Sequence, residues 1–322
     1  MSIPKVIITD CDHENIDIES SILKKPFVDL ELTQFINEKD IIENCKGATS
    51  LIIQYAELTD KVFSHLPDLK QVVRYGVGVN TIDIEAATKY GVQISNVPDY
   101  GTQEVSDHAL AHMLNLTRKI GQMNDNVRNG IWDFTKSMPV FRHSEQTVGV
   151  IGVGRIGSAF CEKVHALGCE VLAYDPKVTD RTTRKVPDFL KMVSLEDLLK
   201  RSDVVSIHCP LETAHDLIGE KELRLMKDTA YLINVSRGGI VNELALDHAL
   251  TEGWIAGAAV DVAENEPLTK EHPLFKHKNF VCTPHMAWYS EESAKELKRK
   301  VSEEVLRFLN NEQVHYPINK LY

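Results

Sequence analysis

The sequence predicts an α/β protein of two domains, one of which contains a doubly wound parallel sheet. Two observations indicate this fold class. Short runs of β-branched residues alternate with helical patterns along most of the chain, as in βαβ units. A length of 322 residues also exceeds one typical core, while 43% hydrophobic and 26% charged residues are ordinary for a globular protein.

Charge and cysteine content argue against several classes of protein. The formal net charge of −11, without a long basic run, disfavours binding to nucleic acid or to an anionic membrane surface. The six cysteines form no CxxC pair and several fall in apolar segments, so we expect buried thiols, not disulfides or a zinc site. No apolar run approaches the ~18 residues that span a bilayer, and the first residues lack a signal-peptide pattern, so we expect a cytoplasmic location.

Residues 1 to about 100 predict the first domain, a flavodoxin-like α/β layer of five mainly parallel strands. The expected strands are Lys5 to Thr9, Asp29 to Leu32, Ser50 to Gln54, Gln71 to Arg74 and Val92 to Asn96. At the end of the fourth strand, Arg74 and the backbone N–H groups that follow it could together hold a small carboxylate. Those groups belong to Gly76, Val77 and Gly78. The alternative is a glycine-rich turn with a solvated arginine, but the position at a strand's C-terminal end favours a binding site.

An amphipathic helix is predicted from Thr102 to about Gly121. Glu104, His108 and His112 share one of its faces, at a spacing that metal ligands sometimes use. No matching cluster of ligands accompanies them, so we expect no metal, and packing between domains or subunits is the favoured use. A connector follows that could cover a partner subunit. Its aromatic residues are Trp132, Phe134 and Phe141.

The segment from Thr147 to Asp175 predicts a Rossmann-type βαβ unit. A β-branched strand runs directly into three glycines, a helical pattern follows, and a second apolar strand ends at Asp175. We expect Gly152 to make the tight turn, Gly154 to let a diphosphate approach bare backbone, and Gly157 to let helix and strand pack closely. The segment therefore predicts a dinucleotide site.

The same segment predicts that the dinucleotide is NAD. A diphosphate at the turn gains from unpaired N–H groups and from the positive end of the helix dipole, with Arg155 as a further cation. Asp175 can accept hydrogen bonds from both ribose hydroxyls of the adenosine, and its charge would repel a 2′-phosphate, which favours NAD over NADP. A basic loop just beyond could hold such a phosphate, but Asp175 occupies the discriminating position and we expect that loop to be solvated. It contains Arg181, Arg184 and Lys185.

The alternation of strands and helices continues to about residue 285, which completes the doubly wound sheet. The expected strands are Asp203 to Cys209, Ala230 to Val235, Ala256 to Val262 and Asn279 to Thr283. Ser194 and Asn242 are placed to begin helices, and a further helix is expected from about Glu220.

A last amphipathic helix, from Ser290, is expected to return to the first domain because the second sheet is by then complete. Residues 1–100 with 290–322 therefore form the predicted substrate domain. Residues 101–289 form the predicted NAD-binding domain.

Polar side chains follow the last three strands, at the edge where a doubly wound sheet binds its ligand. Arg237 offers a planar fork of donors to a substrate carboxylate or carbonyl, and His285 can exchange a proton near neutral pH. Glu266 could bond to that imidazole and favour its charged form, with Glu264 as a rival that spacing does not exclude. Asp261 is a further expected acid, near the nicotinamide carboxamide. Each residue has an ordinary structural explanation, but their coincidence favours hydride transfer between a nicotinamide and a 2-keto or 2-hydroxy acid.

These motifs resemble those of the D-isomer-specific 2-hydroxyacid dehydrogenases over nearly the whole chain. The matching segments are RYGVGVN, GVGRIG with Asp175, HCPL, NVSRGG, DVAENEP and TPHMAWYS. The resemblance implies that Arg237, Glu266 and His285 are catalytic, which selects Glu266 over Glu264. It also implies a discontinuous substrate domain that closes over the cofactor domain, and a dimer formed largely through the cofactor domains.

The segment HMAWYSEES is most similar to the C-terminal-binding protein branch, whose animal members are NADH-responsive corepressors. In that branch the tryptophan, here Trp288, lines the substrate pocket. Glu212 and Thr213 depart from the residues that follow HCPL in most relatives. The predicted cofactor contacts are Gly152, Gly154, Arg155, Ile156, Gly157, Asp175, His208, Cys209, Pro210, Val235, Ser236, Arg237, Asp261 and His285.

The predicted function is an NAD-dependent dehydrogenase that interconverts a 2-keto acid and a D-2-hydroxy acid, as a homodimer. The alternative is an NADH-responsive corepressor or scaffold with little turnover, which the intact catalytic set disfavours. Formate or phosphite oxidation is disfavoured because formate enzymes of this type carry a glutamine beside the histidine. The substrate stays open among glyoxylate, hydroxypyruvate, a branched 2-keto acid and 3-phosphoglycerate, although Trp288 and Tyr289 favour a modest apolar side chain over a phosphate.

Overall fold

The structure is a computed structural model that describes residues 3–24, 26–178 and 187–321. The chain divides into two compact units. Unit 1 consists of Met1–Gly101 and Ser290–Tyr322, and unit 2 consists of Thr102–Tyr289. The predicted basic loop with Arg181, Arg184 and Lys185 lies outside the described residues.

Unit 1 contains a five-stranded parallel sheet. Its first elements are β1 (Lys5–Ile8), α1 (Asp17–Ile22), β2 (Asp29–Leu32), α2 (Glu38–Asn44), β3 (Ser50–Ile53), α3 (Asp60–His65), β4 (Gln71–Arg74), α4 (Ile84–Lys89) and β5 (Gln93–Ser95). The strand order is β2-β1-β3-β4-β5, and every pairing is parallel. Strand β3 is buried along its whole length, as expected inside a parallel sheet. All five predicted strands are confirmed, each within one residue of its predicted ends.

Unit 2 contains a seven-stranded parallel sheet. Its elements are α5 (Thr102–Thr117), α6 (Ile120–Arg128), β6 (Thr147–Ile151), α7 (Arg155–Ala166), β7 (Glu170–Tyr174), β8 (Leu190–Met192), α8 (Leu195–Arg201), β9 (Val204–Ile207), α9 (Glu220–Leu223), β10 (Tyr231–Asn234), α10 (Glu243–Thr251), β11 (Gly257–Val260) and β12 (Phe280–Cys282). The strand order β12-β11-β10-β9-β6-β7-β8 reverses direction between β6 and β9, which is the doubly wound arrangement. The carboxyl ends of the strands therefore share one edge of the sheet, and the predicted fold class is confirmed.

Two elements of unit 2 differ from the prediction. Helix α5 ends at Thr117, not near Gly121, because Lys119 adopts a left-handed conformation with φ of 53° and starts a second helix, α6. Strand β8 is also absent from the prediction. It is three residues long and pairs with β7 at the sheet edge, and so short a run shows no periodicity.

The last helix, α11 (Glu291–Leu309), packs in unit 1 against α1 and β4. Its N-cap is Ser290, where the sequence predicts the helix to start, and Leu297, Val301 and Val305 of its apolar stripe are buried. Lys298 and Glu304 are buried beside that stripe, and each has hydrogen-bonding partners within unit 1. Neither α11 nor any other helix in the described ranges is long and apolar enough to cross a membrane.

Candidate active site

The glycine turn joins β6 to α7 in unit 2. Gly152 has a φ of +90°, which L side chains rarely adopt, and a Cβ there would lie 2.7 Å from the carbonyl oxygen of His208. A Cβ on Gly157 would lie 1.9 Å from the Gly152 oxygen, so glycine is needed for this close packing of helix and turn. A Cβ on Gly154 would meet nothing within 4 Å. The backbone at Gly154 is therefore open to a ligand.

The start of α7 has the features of a diphosphate site. The N-cap is Gly154, which offers no side-chain acceptor to the first N–H groups of the helix, and Arg155 follows it. Asp175, directly after β7, accepts the Val153 N–H at 3.1 Å and the Lys177 N–H at 2.9 Å. These bonds fix the Asp175 carboxylate beside the turn, and each of its oxygens keeps a lone pair for a ribose hydroxyl. The residues present fit a dinucleotide.

The loop after β9 carries His208, Cys209 and Pro210 to the same edge of the sheet. The His208 Nε2 lies 2.8 Å from the Ser206 hydroxyl oxygen. Desolvation of the imidazole lowers the pKa of His208 to about 3, so the ring is neutral at physiological pH. His208 therefore adds no positive charge to the predicted diphosphate site.

The loop after β10 carries Val235, Ser236 and Arg237. The Ser236 hydroxyl donates to the Ile207 carbonyl at 2.9 Å, which ties this loop to β9. The Asn234 side-chain amide donates to the carbonyl of Arg237 at 2.9 Å, and its oxygen accepts the Ser236 N–H at 3.0 Å. The Arg237 guanidinium donates to the Ser236 carbonyl at 2.7 Å, a bond that uses one of its five N–H donors.

The loop after β11 packs directly on the loop that carries Arg237, because a Cβ on Gly238 would lie 1.8 Å from the Ala263 carbonyl oxygen. The Glu266 Oε1 accepts the Ala263 N–H at 2.9 Å. Glu264 faces α10 instead. Its Oε1 accepts the Glu243 N–H at 3.2 Å, and its own N–H donates to the Glu243 Oε1 at 2.7 Å. This reciprocal pair ties the loop to the start of α10.

His285 follows β12 and contacts Glu266, not Glu264. The His285 Nδ1 lies 2.7 Å from the Glu266 Oε2. Desolvation raises the pKa of Glu266, but the hydrogen bonds that it accepts and the charges of His285 and Arg237 outweigh this, so its pKa lies below the usual value. The Glu266 carboxylate is therefore ionised at neutral pH, and the three residues form one electrostatic group.

Asp261 holds the backbone that carries His285. It is 1% exposed, and its carboxylate accepts the N–H groups of Met286 at 3.0 Å and Ala287 at 2.8 Å. Its carbonyl accepts the His285 N–H at 2.9 Å. His285 has a φ of +53°, in the left-handed region that costs a residue with a side chain about 1 kcal/mol. The bonds to Asp261 stabilise this conformation, a role that the sequence does not predict.

Sequence reasoning missed the polar partners of Asp261. The Thr283 hydroxyl donates to the Asp261 Oδ1 at 2.5 Å, and both His108 and His112 lie within hydrogen-bond distance of Thr283. Both histidines contact Thr283 inside unit 2, and the prediction that this helix face packs between domains or subunits stays a prediction. Their spacing identifies a shared helix face but not its neighbour. The described part of the chain contains no group of three potential metal ligands.

The site predicted to bind a small carboxylate in unit 1 lies in the loop after β4. Gly76 has a φ of +122°, and a Cβ there would lie 1.9 Å from the Arg74 Nη1, so the guanidinium lies over the glycine. The Asn96 side-chain amide donates to the Val77 carbonyl at 2.6 Å, which fixes the loop. Gly78 is partly buried and Val77 is exposed.

Trp288 lies in unit 2, three residues after His285. Its ring packs edge-on against that of Tyr289, with 5.5 Å between the ring centroids. Trp288 is partly buried, whereas Tyr289 is exposed.

The chain is similar to known proteins in sequence and in structure. It is 37% identical to a glyoxylate reductase of Korarchaeum cryptofilum over 281 residues, 86% of this chain and 84% of that protein. It is 33% identical to a D-3-phosphoglycerate dehydrogenase of Archaeoglobus fulgidus over 299 residues, 92% of this chain and 56% of that protein. A solved D-lactate dehydrogenase of Aquifex aeolicus, complexed with NAD and lactic acid, superposes with a TM-score of 0.88 at 27% identity, covering 98% of this chain and 100% of that chain.

The family is settled by a match that spans the glycine turn and the three strand-end loops. Residues 110–287 match the model described as D-isomer specific 2-hydroxyacid dehydrogenase, NAD binding domain. The prediction of NAD as the cofactor is confirmed. The chain belongs to the D-isomer-specific 2-hydroxyacid dehydrogenases, a family of NAD-dependent oxidoreductases.

Proposed function

We propose that this protein interconverts a small 2-keto acid and the corresponding D-2-hydroxy acid. The observation that carries the proposal is the 2.7 Å contact between the His285 Nδ1 and the Glu266 Oε2, at the same sheet edge as the glycine turn. An imidazole that is held through one ring nitrogen presents the other nitrogen to a substrate hydroxyl or carbonyl.

His285 is the acid and base of the proposed reaction. During reduction the His285 Nε2–H gives its proton to the carbonyl oxygen, and during oxidation the neutral Nε2 takes the hydroxyl proton. The bound nicotinamide supplies or accepts the hydride at the carbon atom. Glu266, which is ionised, favours the protonated imidazole and fixes the ring through Nδ1.

Two arginines are proposed to bind the substrate. The Arg237 guanidinium polarises the carbonyl, because its planar donors suit an oxygen that gains negative charge. The Arg74 loop holds the substrate carboxylate, a role supported by the guanidinium above Gly76 and by the fixed backbone of that loop. Residues 1–100 with 290–322 would then be the substrate domain, and 101–289 the NAD-binding domain.

The aromatic pair after His285 supports a substrate class. We propose that Trp288 lines the substrate pocket, because its partly buried ring packs against Tyr289 and offers apolar surface. Such a wall favours a small apolar substituent over a phosphate. Glyoxylate is the first substrate to test, because a relative at 37% identity is a glyoxylate reductase.

The experiment is a screen of NADH oxidation with glyoxylate, hydroxypyruvate, a branched 2-keto acid and 3-phosphohydroxypyruvate. With the best substrate, His285→Ala should lower kcat by about 10²- to 10⁴-fold and retain NADH binding, measured by fluorescence titration. Unchanged turnover would remove His285 from the mechanism. Negligible wild-type turnover on every acid, together with NADH-dependent association, would instead support the corepressor or scaffold alternative.

We further propose a homodimer formed through unit 2. Trp132 is 89% exposed and Phe134 is 74% exposed, and other exposed apolar side chains lie close by in sequence. These are Ile120, Val127, Ile131, Met138 and Phe141. Exposed apolar patches of this kind mark association surfaces. Light scattering after size exclusion should show a dimer for the wild type and a monomer for a Trp132→Ser, Phe134→Ser double variant, and a monomeric wild type would refute the assignment.

A cytoplasmic location is also proposed. All six cysteines are free thiols, and four of them are buried. A reducing compartment keeps such thiols unpaired. Cell fractionation followed by immunodetection checks the location, and recovery in a secreted fraction would contradict it.

A further inference from the structure

A single hydroxyl group connects α5 to the segment that carries His285. His108 and His112 lie one turn apart on α5, with ring centroids 4.5 Å apart. The Thr283 Oγ1 is 2.9 Å from the His108 Nε2 and 3.2 Å from the His112 Nε2. The same oxygen is 2.5 Å from the Asp261 Oδ1. Two imidazoles and one carboxylate therefore converge on one threonine.

The direction of each hydrogen bond follows from the groups involved. An ionised carboxylate only accepts, so the Thr283 hydroxyl donates its single proton to Asp261. The hydroxyl oxygen then has two lone pairs, one for each imidazole, and both imidazoles donate from Nε2. His112 is 4% exposed, and burial beside His108 lowers its pKa to about 4. At neutral pH His112 is therefore the neutral tautomer with its proton on Nε2.

Asp261 connects the Thr283 hydroxyl to the backbone of His285 through hydrogen bonds. Its carboxylate accepts the N–H groups of Met286 and Ala287, and its carbonyl accepts the N–H of His285. The same segment holds His285 at a φ of +53°. A shift of Thr283 would therefore change the backbone orientation of His285, and with it the direction of Nδ1 towards Glu266.

The charged groups around this network are few in the described ranges. Glu266 contacts His285 from the loop after β11, the charge of Arg237 acts on Glu266, and the His108 Nε2 is 3.6 Å from the Asp261 Oδ1. Cys282 is nearby on β12, and burial raises the pKa of its thiol to about 11, so it is neutral.

We propose that the two α5 histidines position His285, acting through the Thr283 hydroxyl. The inference rests on the proposed function, since it takes His285 to be the acid and base. It assigns a role to both histidines of α5 and requires neither ring to touch the substrate or the cofactor. His108 and His112 are therefore positioning residues, not catalytic ones.

The first test removes the hydroxyl at nearly constant volume. Thr283→Val should lower kcat for keto-acid reduction by about 10²-fold, because small misplacements of an acid/base group have effects of this size, with little change in KM. The pH at which reduction falls to half its maximum should also move to lower pH, because an imidazole turned away from Glu266 holds its proton less tightly. Thr283→Ser keeps the hydroxyl and should restore most of kcat.

Thr117, on the helix that carries His108 and His112, provides a matched control. Thr117 is 4% exposed, and its hydroxyl oxygen lies 3.0 Å from the His143 Nε2, outside the network. Thr117→Val should lower the thermal midpoint but leave the pH profile in place. Destabilisation alone would give Thr283→Val the same pattern as Thr117→Val, and that result would overturn the inference.

A second pair of variants avoids the deeply buried positions. His108 is partly exposed, so substitutions there are more easily accommodated. Glutamine places an amide N–H near the position of Nε2, so His108→Gln should retain most of the wild-type kcat, whereas His108→Leu should lower it and shift the pH profile as Thr283→Val does. Equal kcat values and pH profiles for the two variants would contradict a donor role for His108.

The proposed function and this inference fail in distinguishable ways. If His285→Ala is inactive while a folded Thr283→Val matches the wild type, the acid/base assignment stands and the positioning network is wrong. If His285→Ala turns over like the wild type, both are wrong. Nitrogen NMR of the imidazoles gives a readout independent of turnover, because a proton on Nδ1 instead of Nε2 in either α5 histidine would overturn the network directly.

Discussion

The His285 Nδ1 lies 2.7 Å from the Glu266 Oε2, and this bond joins the loop after β12 to the loop after β11. Asp261 accepts backbone N–H groups of the loop after β12. The reciprocal hydrogen bonds of Glu264 and Glu243 fix the loop after β11 to the start of α10. The orientation of the imidazole is therefore set by two parts of the fold that meet at one edge of the sheet.

Removing the charge of Glu266 should change the pH dependence of the reaction. The pKa of Glu266 lies below its usual value, so its carboxylate is charged at neutral pH and favours the protonated imidazole. Glu266→Gln removes that charge, so the fall in reduction rate with rising pH should begin at lower pH. The measurement is kcat against pH.

Glu264→Gln is the matched control for this prediction. Glu264 bonds to the Glu243 N–H and not to His285, so its substitution should leave the position of the pH profile unchanged. Identical shifts in the two variants would argue against a specific role for Glu266.

Because the folded pKa of Glu266 is lowered, its contribution to stability is present above its unfolded pKa and is lost as the pH falls through the folded value.

Gly76→Ala should weaken substrate binding through Arg74. The new Cβ would lie 1.9 Å from the Arg74 Nη1 and must displace the guanidinium. Loss of a charge-assisted contact should raise KM for the keto acid by about tenfold or more, with NADH affinity unchanged. Gly91→Ala controls for backbone strain, because Gly91 also has a positive φ, +71°, but a Cβ there would meet nothing within 4 Å. A similar KM in both variants would be evidence against Arg74 as a substrate ligand.

Two alanine variants should separate cofactor binding from folding. A Cβ on Gly154 would have no protein neighbour within 4 Å, so Gly154→Ala should fold normally but raise the Kd for NADH. A Cβ on Gly157 would lie 1.9 Å from the Gly152 oxygen, so Gly157→Ala should lower the thermal midpoint itself. Thermal denaturation without ligand and fluorescence titration with NADH measure the two effects. An unaffected NADH Kd in Gly154→Ala would refute a diphosphate at this turn.

Asp175→Asn should relax discrimination against NADP. The substitution keeps the hydrogen-bonding shape but removes the charge that opposes a 2′-phosphate, so the ratio of kcat/KM for NADPH to that for NADH should rise by about tenfold or more. Asp228→Asn makes the same change of net charge at an exposed position just before β10, at the opposite edge of the sheet. A ratio that rises equally in both variants would assign the effect to net charge and not to Asp175.

Local features of the fold could be predicted from the sequence because they depend on residues close together in the chain. Helices are predicted to start at Ser194, Asn242 and Ser290, and each of these side chains is an N-cap that accepts the backbone N–H of the residue three positions later. The glycine spacing likewise fixes a turn within a few residues, and the alternation of strands and helices fixes the fold class. The strand ends then bring the candidate residues to one edge.

Only the tertiary structure decided which side chains of the site contact one another. Sequence spacing does not show whether Glu264 or Glu266 contacts His285. In the folded chain Glu264 bonds to Glu243 at the start of α10, and Glu266 contacts His285. The faces of α5 and β12 meet only in the folded sheet, so the periodicity of α5 could show that His108 and His112 point the same way but not that Thr283 lies opposite them. Periodicity and capping act over a few residues, whereas these partners come from segments farther apart in sequence: 21 residues separate Glu243 from Glu264, and 175 separate His108 from Thr283.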